Sequence, residues 1–89
     1  MIRMFVRHQV TDYAKWRAAY DSFKPEHPAM GVRAEAVYQT AGEPNDVTVT
    51  HDFDNLEAAK GFVAMPRLKD AMQEAGVSGE PTIWFTEPA

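Results

Sequence analysis

The chain has 89 residues, of which 45% are hydrophobic and 25% are charged, and its formal net charge is −4 at pH 7. This balance predicts a single globular domain over residues 1–89. The absence of cysteine excludes disulfides, thiolate zinc sites and a cysteine nucleophile. The acidic charge opposes attraction to phosphate, so we predict no nucleic-acid partner.

No apolar stretch approaches the roughly 20 residues that span a bilayer, and Arg3 and Arg7 interrupt the start where a signal peptide needs apolar residues. We therefore predict a cytoplasmic protein with no membrane partner.

A strand and an aromatic helix are the first predicted elements. Residues 2–10 alternate in polarity, and His8 lies on the apolar side of this alternation. Thr11 and Asp12 then offer an N-cap for a helix that is predicted to end at about Lys24, before Pro25. Aromatic residues recur along this helix at spacings of three or four: Tyr13, Trp16, Tyr20 and Phe23.

A proline-rich loop leads from this helix into a predicted β-hairpin. The loop at residues 25–31 contains His27, which we expect to be exposed to solvent or to act as a pocket lid. Alternation resumes over residues 32–38, and turn-forming residues at 42–46 join this second strand to a third strand at residues 47–53.

The last third of the chain predicts a broken helix and a final strand. Asp54 is the expected N-cap, with Glu57 as its capping-box partner. Pro66 interrupts the helix, which is predicted to restart there and to end at Gly76 as a left-handed C-cap. Residues 82–86 complete the predicted elements as the last strand.

The element order β-α-β-β-α-β predicts an α+β, ferredoxin-like sandwich, with a four-stranded antiparallel sheet whose helices cover one face. We expect the first and third strands to be central neighbours that run parallel to each other. Their C-terminal ends carry His8 and His51, so the two imidazoles are expected to lie close together on the helix-covered face.

The other face of the sheet is predicted to be open. Its expected residues include two large aromatics, which favour a partner surface: Arg3, Phe5, Arg7, Val37, Thr48, Thr50 and Trp84. Two roles are open for Arg7, either as an anchor for an anion or in a structural ion pair with Glu35 of a neighbouring strand.

Short runs spread over nearly the whole chain form a recognisable set: VTDYAKW at 10–16, PND at 44–46, HDF at 51–53, LEAA at 56–59, AGV at 75–77 and WF at 84–85. Together they resemble the dimeric α+β barrel superfamily, and within it the small antibiotic-biosynthesis-monooxygenase-like proteins. The resemblance implies a homodimer whose two sheets face each other, with a pocket in each subunit between sheet and helices. We predict that the dimer forms through the open sheet face, at Phe5, Arg7, Val37 and Trp84.

The activities of that superfamily are diverse. Its members include cofactor-independent quinone-forming monooxygenases, polyketide cyclases, muconolactone-type isomerases and haem-degrading enzymes. The oxygenases that this chain resembles hold a phenolic substrate, and the anion of that substrate itself reduces oxygen. The second helix of this chain carries Phe62 but neither tryptophan nor histidine, so haem ligation from it is not expected. We predict no cofactor.

The candidate catalytic residues are His8 and His51. Imidazoles titrate near neutrality, so two of them within reach of one molecule could act as acid and base on an enolisable substrate. The alternative is that both are hydrogen-bonded wall residues without a chemical role. We predict no metal site, because two histidines lack a third ligand and Asp52 is expected to point to the opposite face.

The candidate substrate-binding residues are aromatic: Tyr13, Trp16, Tyr20, Phe53 and Phe62. At helical spacing, the aromatics of the first helix could equally be ordinary core residues. The polar tips of Trp16 and Tyr20 could orient an aromatic ligand if the helix lines a pocket.

Two functions remain open at this stage. The first is a cofactor-free monooxygenase-like, cyclase-like or isomerase-like activity on a small hydrophobic molecule, aromatic or polyketide-like. The second is a non-catalytic homodimeric module that binds a ligand or only its own copy. An RNA-recognition domain of the same topology is disfavoured by the acidic charge and by the missing basic-aromatic strand motif.

Overall fold

The computed structural model describes all 89 residues of the chain. Seven helices and strands follow one another: β1 Ile2–Val10, α1 Tyr13–Phe23, β2 Ala34–Thr40, β3 Glu43–Phe53, α2 Leu56–Ala64, α3 Pro66–Glu74 and β4 Val77–Thr86. Two short 3-10 turns, Lys24–Glu26 and Pro28–Met30, connect α1 to β2. The predicted α+β, ferredoxin-like arrangement is confirmed, and the second helix is divided at Pro66 as expected.

The four strands form one antiparallel sheet in the order β2-β3-β1-β4. The prediction that the first and third strands run parallel is wrong. The crossover through α1 makes β2 parallel to β1, and the following hairpin reverses β3, which then inserts between them in the antiparallel direction.

This strand direction separates the two predicted catalytic histidines. His8 lies opposite Val47, whereas His51 lies opposite Met4. Both side chains point to the helix-covered face, but they lie four positions apart along the strands, which corresponds to about 13 Å. The expected close pair of imidazoles therefore does not form.

The helix ends follow local chemistry. Asp12 caps α1 as predicted, and its carboxylate accepts from the backbone N–H of Ala14 at 2.9 Å. The N-cap of α2 is Asn55, which accepts from Ala58 N–H at 2.8 Å, so the predicted cap on Asp54 is wrong. The Asp54 carboxylate instead forms an ion pair with Arg33. None of the three α-helices, each 9 or 11 residues long, has the length and apolarity needed to cross a membrane.

Two strands are longer than predicted. β3 begins at Glu43 rather than at residue 47, because the tight turn is confined to Ala41 and Gly42, whose φ is +81°. β4 begins at Val77 and tolerates Pro81 because it is an edge strand. Its register with β1 shifts between Arg7 and Gln9, directly beside His8.

The core lies between the sheet and the helices in two clusters. The first surrounds Phe53 and Phe62 beneath α2 and α3, and the second surrounds Trp16 and Val49 beneath α1. Val37 packs against the second cluster and pairs with Val49, so it lies on the helix-covered face. Its predicted place on the open face is therefore wrong.

The open face carries aromatic and charged residues. Phe5 stacks on Trp84, with ring centroids 5.1 Å apart, and Trp84 remains 40% exposed. Arg7 pairs with Asp46 through two contacts of 2.6 and 3.1 Å, so its predicted ion pair with Glu35 is wrong. Asp52 lies on this face as expected.

Candidate functional site

An apolar cavity of about 60 Å³ lies between the sheet and the helices α1, α2 and α3. Most side chains in its wall are aliphatic or aromatic, and the others are three imidazoles and one phenol. The lining residues are Val6, His8, Trp16, Ala19, Tyr20, Phe23, His27, Val49, His51, Phe62, Val63, Leu68, Ala71, Met72, Ala75 and Ile83. Few polar atoms therefore face this space, so any chemistry in the cavity depends on these few imidazole and phenol groups.

Most of the predicted site residues line this cavity. They are His8, Trp16, Tyr20, His51 and Phe62. Tyr13 and Phe53 do not line it. Tyr13 packs outside the cavity against Trp16, at 5.9 Å between ring centroids, and the fully buried Phe53 lies behind Phe62, at 5.4 Å. Their predicted substrate-binding roles remain predictions.

His27 is a cavity residue that the sequence analysis placed on the surface. It is only 1% exposed, because the 3-10 turns that continue α1 keep it on the same side as Tyr20 and Phe23. Of the two expectations for His27, exposure to solvent is therefore wrong, and a role as a pocket lid stays a prediction. Tyr20 and His27 are seven positions apart, which is two helical turns. Extending the spacing of the helix aromatics by two turns would therefore have predicted His27 on the same side as Tyr20.

Glu35 is the second site residue that was missed. It sits directly opposite His51 in the pairing of β2 with β3, so its side chain points to the helix-covered face. Glu35 and Val37 are two positions apart in a strand, so they share one face of the sheet. The signal in the sequence was therefore a carboxylate on the face that also carries an apolar residue. Assigning Val37 to the open face hid this signal.

A hydrogen-bond network joins these residues. The Tyr20 hydroxyl donates to the Glu35 carboxylate. It also lies 3.2 Å from His51 Nε2. His27 Nδ1 approaches both carboxylate oxygens of Glu35, at 3.1 and 3.2 Å. Because the single Tyr20 proton is donated to Glu35, His51 must donate its Nε2–H to the phenol oxygen, and its buried Nδ1 is left without a partner.

Burial decides most of the protonation states. Desolvation lowers the pKa of His51 to about 4, so this imidazole is neutral at pH 7. Desolvation, reinforced by the adjacent Glu35, raises the pKa of Tyr20 and keeps the phenol protonated. Burial also opposes ionisation of Glu35, but the hydrogen bonds from Tyr20 and His27 outweigh it and lower the pKa of the carboxyl below its usual range.

His8 lies in a different part of the cavity wall. Both of its ring nitrogens are buried and have no hydrogen-bond partner, and its ring packs at 5.5 Å from that of Trp16. Burial lowers the pKa of this imidazole, so it is neutral and offers one donor and one acceptor. A ligand with a hydrogen-bonding group would satisfy it.

Comparison with known proteins gives a structural answer only. No model of a known protein family matches the sequence, and no curated protein matches it. A candidate antibiotic biosynthesis monooxygenase from Bordetella bronchiseptica superposes with a TM-score of 0.83 at 14% identity, covering 99% of this chain and 96% of that one. A second such candidate, from Deinococcus radiodurans, gives a TM-score of 0.78 at 18% identity, with 100% and 93% coverage.

The third structure carries a more specific description. SnoaB, a cofactor-independent oxygenase from Streptomyces nogalater, superposes with a TM-score of 0.76 at 11% identity, covering 99% of this chain and 94% of that one. Identities in this range establish a shared fold and not a shared activity. The chain therefore has the ferredoxin-like fold of the antibiotic-biosynthesis-monooxygenase-like proteins, as the resemblance in its sequence predicted.

Proposed function

We propose that this protein binds a small hydrophobic molecule, aromatic or polyketide-like, in the cavity between its sheet and helices. On this proposal it acts as a cofactor-independent monooxygenase-like, cyclase-like or isomerase-like enzyme. The observation that carries the proposal is an apolar cavity whose polar side chains are three imidazoles and the Tyr20 phenol, with the mostly buried Glu35 carboxylate bonded to Tyr20. The fold shared with a cofactor-independent oxygenase supports the same reading.

The network suits proton transfer with a phenolic or enolisable ligand. A neutral His51 can accept a proton at its unpartnered Nδ1. The Tyr20 hydroxyl can donate to a developing oxyanion only when it turns away from Glu35, to which it donates in this structure. Trp16, stacked on Tyr20 at 5.0 Å, provides an aromatic surface for the ligand ring. Loss of the ligand proton would produce an electron-rich anion, which is the form that reduces oxygen in the oxygenases this chain resembles.

The cavity size constrains how the ligand enters. About 60 Å³ is well below the roughly 300–1,000 Å³ of sites that enclose drug-sized ligands. Leu68, Ala71 and Met72 of α3 form one part of the wall, and methionine adapts readily to new shapes. We infer that a polycyclic ligand binds only with movement of α3 side chains, whereas a single-ring phenol needs less movement.

Oxygen uptake with a panel of phenols, hydroquinones and polycyclic enols tests the proposed activity. Product masses would be read in parallel, with metal-free protein in EDTA. We expect Tyr20→Phe to lower turnover at least tenfold, since it disconnects His51 from Glu35. Tyr38→Phe is the matched control, because it removes the same hydroxyl from a residue outside the cavity and keeps the ring that the proposed dimer interface uses. Equal turnover of the two variants would contradict the assignment of the site.

The second candidate function is a non-catalytic ligand-binding or interaction module. The unpartnered nitrogens of His8 favour ligand binding even in the absence of turnover. Quenching of Trp16 fluorescence in a Trp84→Phe background, by panel compounds that show no oxygen uptake and no product, would support this candidate over the enzyme.

Homodimerisation through the open sheet face is also part of the proposal. The stacked pair of Phe5 and Trp84, together with the exposed ring of Tyr38, forms an aromatic surface on the face that no helix covers. Such surfaces favour contact with a partner. The cytoplasmic location and the lack of nucleic-acid and membrane partners remain predictions.

A further inference from the structure

We propose that His27, Glu35 and His51 form a binding site for one divalent transition-metal ion in the wall of the cavity. This site goes beyond the proposed small-molecule function and does not require it. The sequence analysis predicted no metal because His8 and His51 lacked a third ligand. In the structure, His27 rather than His8 lies close to His51, and Glu35 provides the third ligand.

Three elements bring the ligand atoms together. His27 comes from the turn after α1, Glu35 from β2 and His51 from β3, where it faces Glu35 across the ladder. One ligand atom from each residue lies within 4.8 Å of the other two. His27 and His51 are 1% and 4% exposed, so water competes little for these positions.

The donor set selects the class of ion. Two imidazoles and one carboxylate suit zinc, iron and related first-row divalent ions, whereas calcium and magnesium prefer all-oxygen sites. The same donor set leaves coordination positions open in catalytic zinc and non-haem iron sites. Since His27 and His51 both line the cavity, an open position would face the space that a ligand occupies.

Charge points in the same direction. The five other ion pairs of the chain each join a carboxylate to an arginine. Glu35 pairs only with His27, which is charged only when protonated. A mostly buried carboxylate without a permanent cation is costly, and a bound divalent ion would supply the missing positive charge.

Two features show what would change on binding. His51 Nε2 is the ring nitrogen on the side of Tyr20, so an ion bound to Nε2 would move the ring proton to the buried Nδ1, which has no partner. The Tyr20 hydroxyl lies between Glu35 and His51 and would shift to admit the ion. Bonds to zinc of about 2.0–2.2 Å place tetrahedral ligand atoms roughly 3.4 Å apart. His27 Nδ1 already lies 3.1 Å from Glu35, so only the longer separations, of up to 4.8 Å, would shorten, by at most about 1.4 Å.

Titration of the untagged, EDTA-treated full chain tests the site. Zn²⁺ is followed by calorimetry and Co²⁺ by its visible absorption, and we expect one ion per chain. Glu35→Gln should weaken affinity by more than about 100-fold, since even partners outside the ligand shell contribute 10–100-fold. Glu57→Gln, which changes an exposed glutamate of α2, should keep the wild-type affinity.

The absence of saturable binding at one ion per chain would overturn the proposal, as would equal affinities of Glu35→Gln and Glu57→Gln. If Glu35→Gln does not fold, wild-type protein with Co²⁺ decides instead. Large contact shifts of the His27 and His51 ring protons, with only small distance-dependent shifts at His8, support the site. Contact-sized shifts at His8, or none at His27 and His51, reject it. Oxygen uptake in EDTA is measured separately, so failure of the metal site leaves the proposed function independently tested.

Discussion

The Tyr20 hydroxyl allows the buried network to be tested without removing a charged residue. Tyr20→Phe keeps the ring that packs on Trp16 and deletes only the oxygen between Glu35 and His51. A hydrogen bond to a charged group contributes about 1.5–3 kcal/mol, and a buried donor left without a partner costs about 1–3 kcal/mol. Because the two contacts share one oxygen and relax together, we expect a loss of about 3 kcal/mol in the free energy of unfolding.

Urea denaturation at pH 7 in EDTA measures this loss. A domain of this size should then melt more than about 10 °C lower. The control Tyr38→Phe, on the open face, should stay within about 0.5 kcal/mol of the wild type. A double-mutant cycle with Glu35→Gln should show a coupling energy of at least about 1.5 kcal/mol, since the two side chains interact directly.

Two results would refute the reasoning. Equal stabilities of Tyr20→Phe and Tyr38→Phe would mean that the buried hydroxyl contributes no net stability. A double-mutant cycle without coupling energy would mean that the Tyr20 hydroxyl and the Glu35 carboxylate act independently. The proposed site could then not depend on a hydrogen-bond network between them.

Two further predictions concern pH and assembly. The pKa of His51 falls from 6.5 to about 4 on folding, so its contribution to stability is complete above pH 6.5 and is lost as the pH falls towards 4. Between pH 7 and pH 4 we expect the wild type in EDTA to lose about 3 kcal/mol more than His51→Gln, measured by urea denaturation, and parallel pH profiles would reject the assignment. Trp84→Glu, which puts a charge on the proposed interface, should convert a dimer to a monomer in light scattering, whereas Glu57→Gln should not. A monomeric wild type would reject the interface itself.

The sequence determined the order of the elements because the signals for them are local. The alternation over residues 2–10 predicted β1 without error, and the break at Pro66 predicted the division between α2 and α3. Asp12 capped α1 as its chemistry demands. These patterns depend on neighbours within a few positions, so they survive without knowledge of the tertiary structure.

Which side chains face each other was decided by the tertiary structure. The direction of β3 beside β1 separated His8 from His51, and the register of β2 placed both Glu35 and Val37 on the helix-covered face. A shift of one position in register exchanges the two faces of a strand. The sequence of β2 specifies its faces only weakly, because one face carries Ala34 and Ala36 and the other combines Val37 with a carboxylate.

The candidate site shows the same division between local and long-range information. The sequence identified Tyr20 and His51 as functional candidates, because a phenol in an aromatic stripe and a histidine on an apolar side are visible locally. It missed His27 and Glu35, which meet His51, and in the case of Glu35 also Tyr20, only through contacts between residues 15 or more positions apart. Strand pairing and the path of the chain after α1 brought these four side chains together, and those depend on packing of the whole domain.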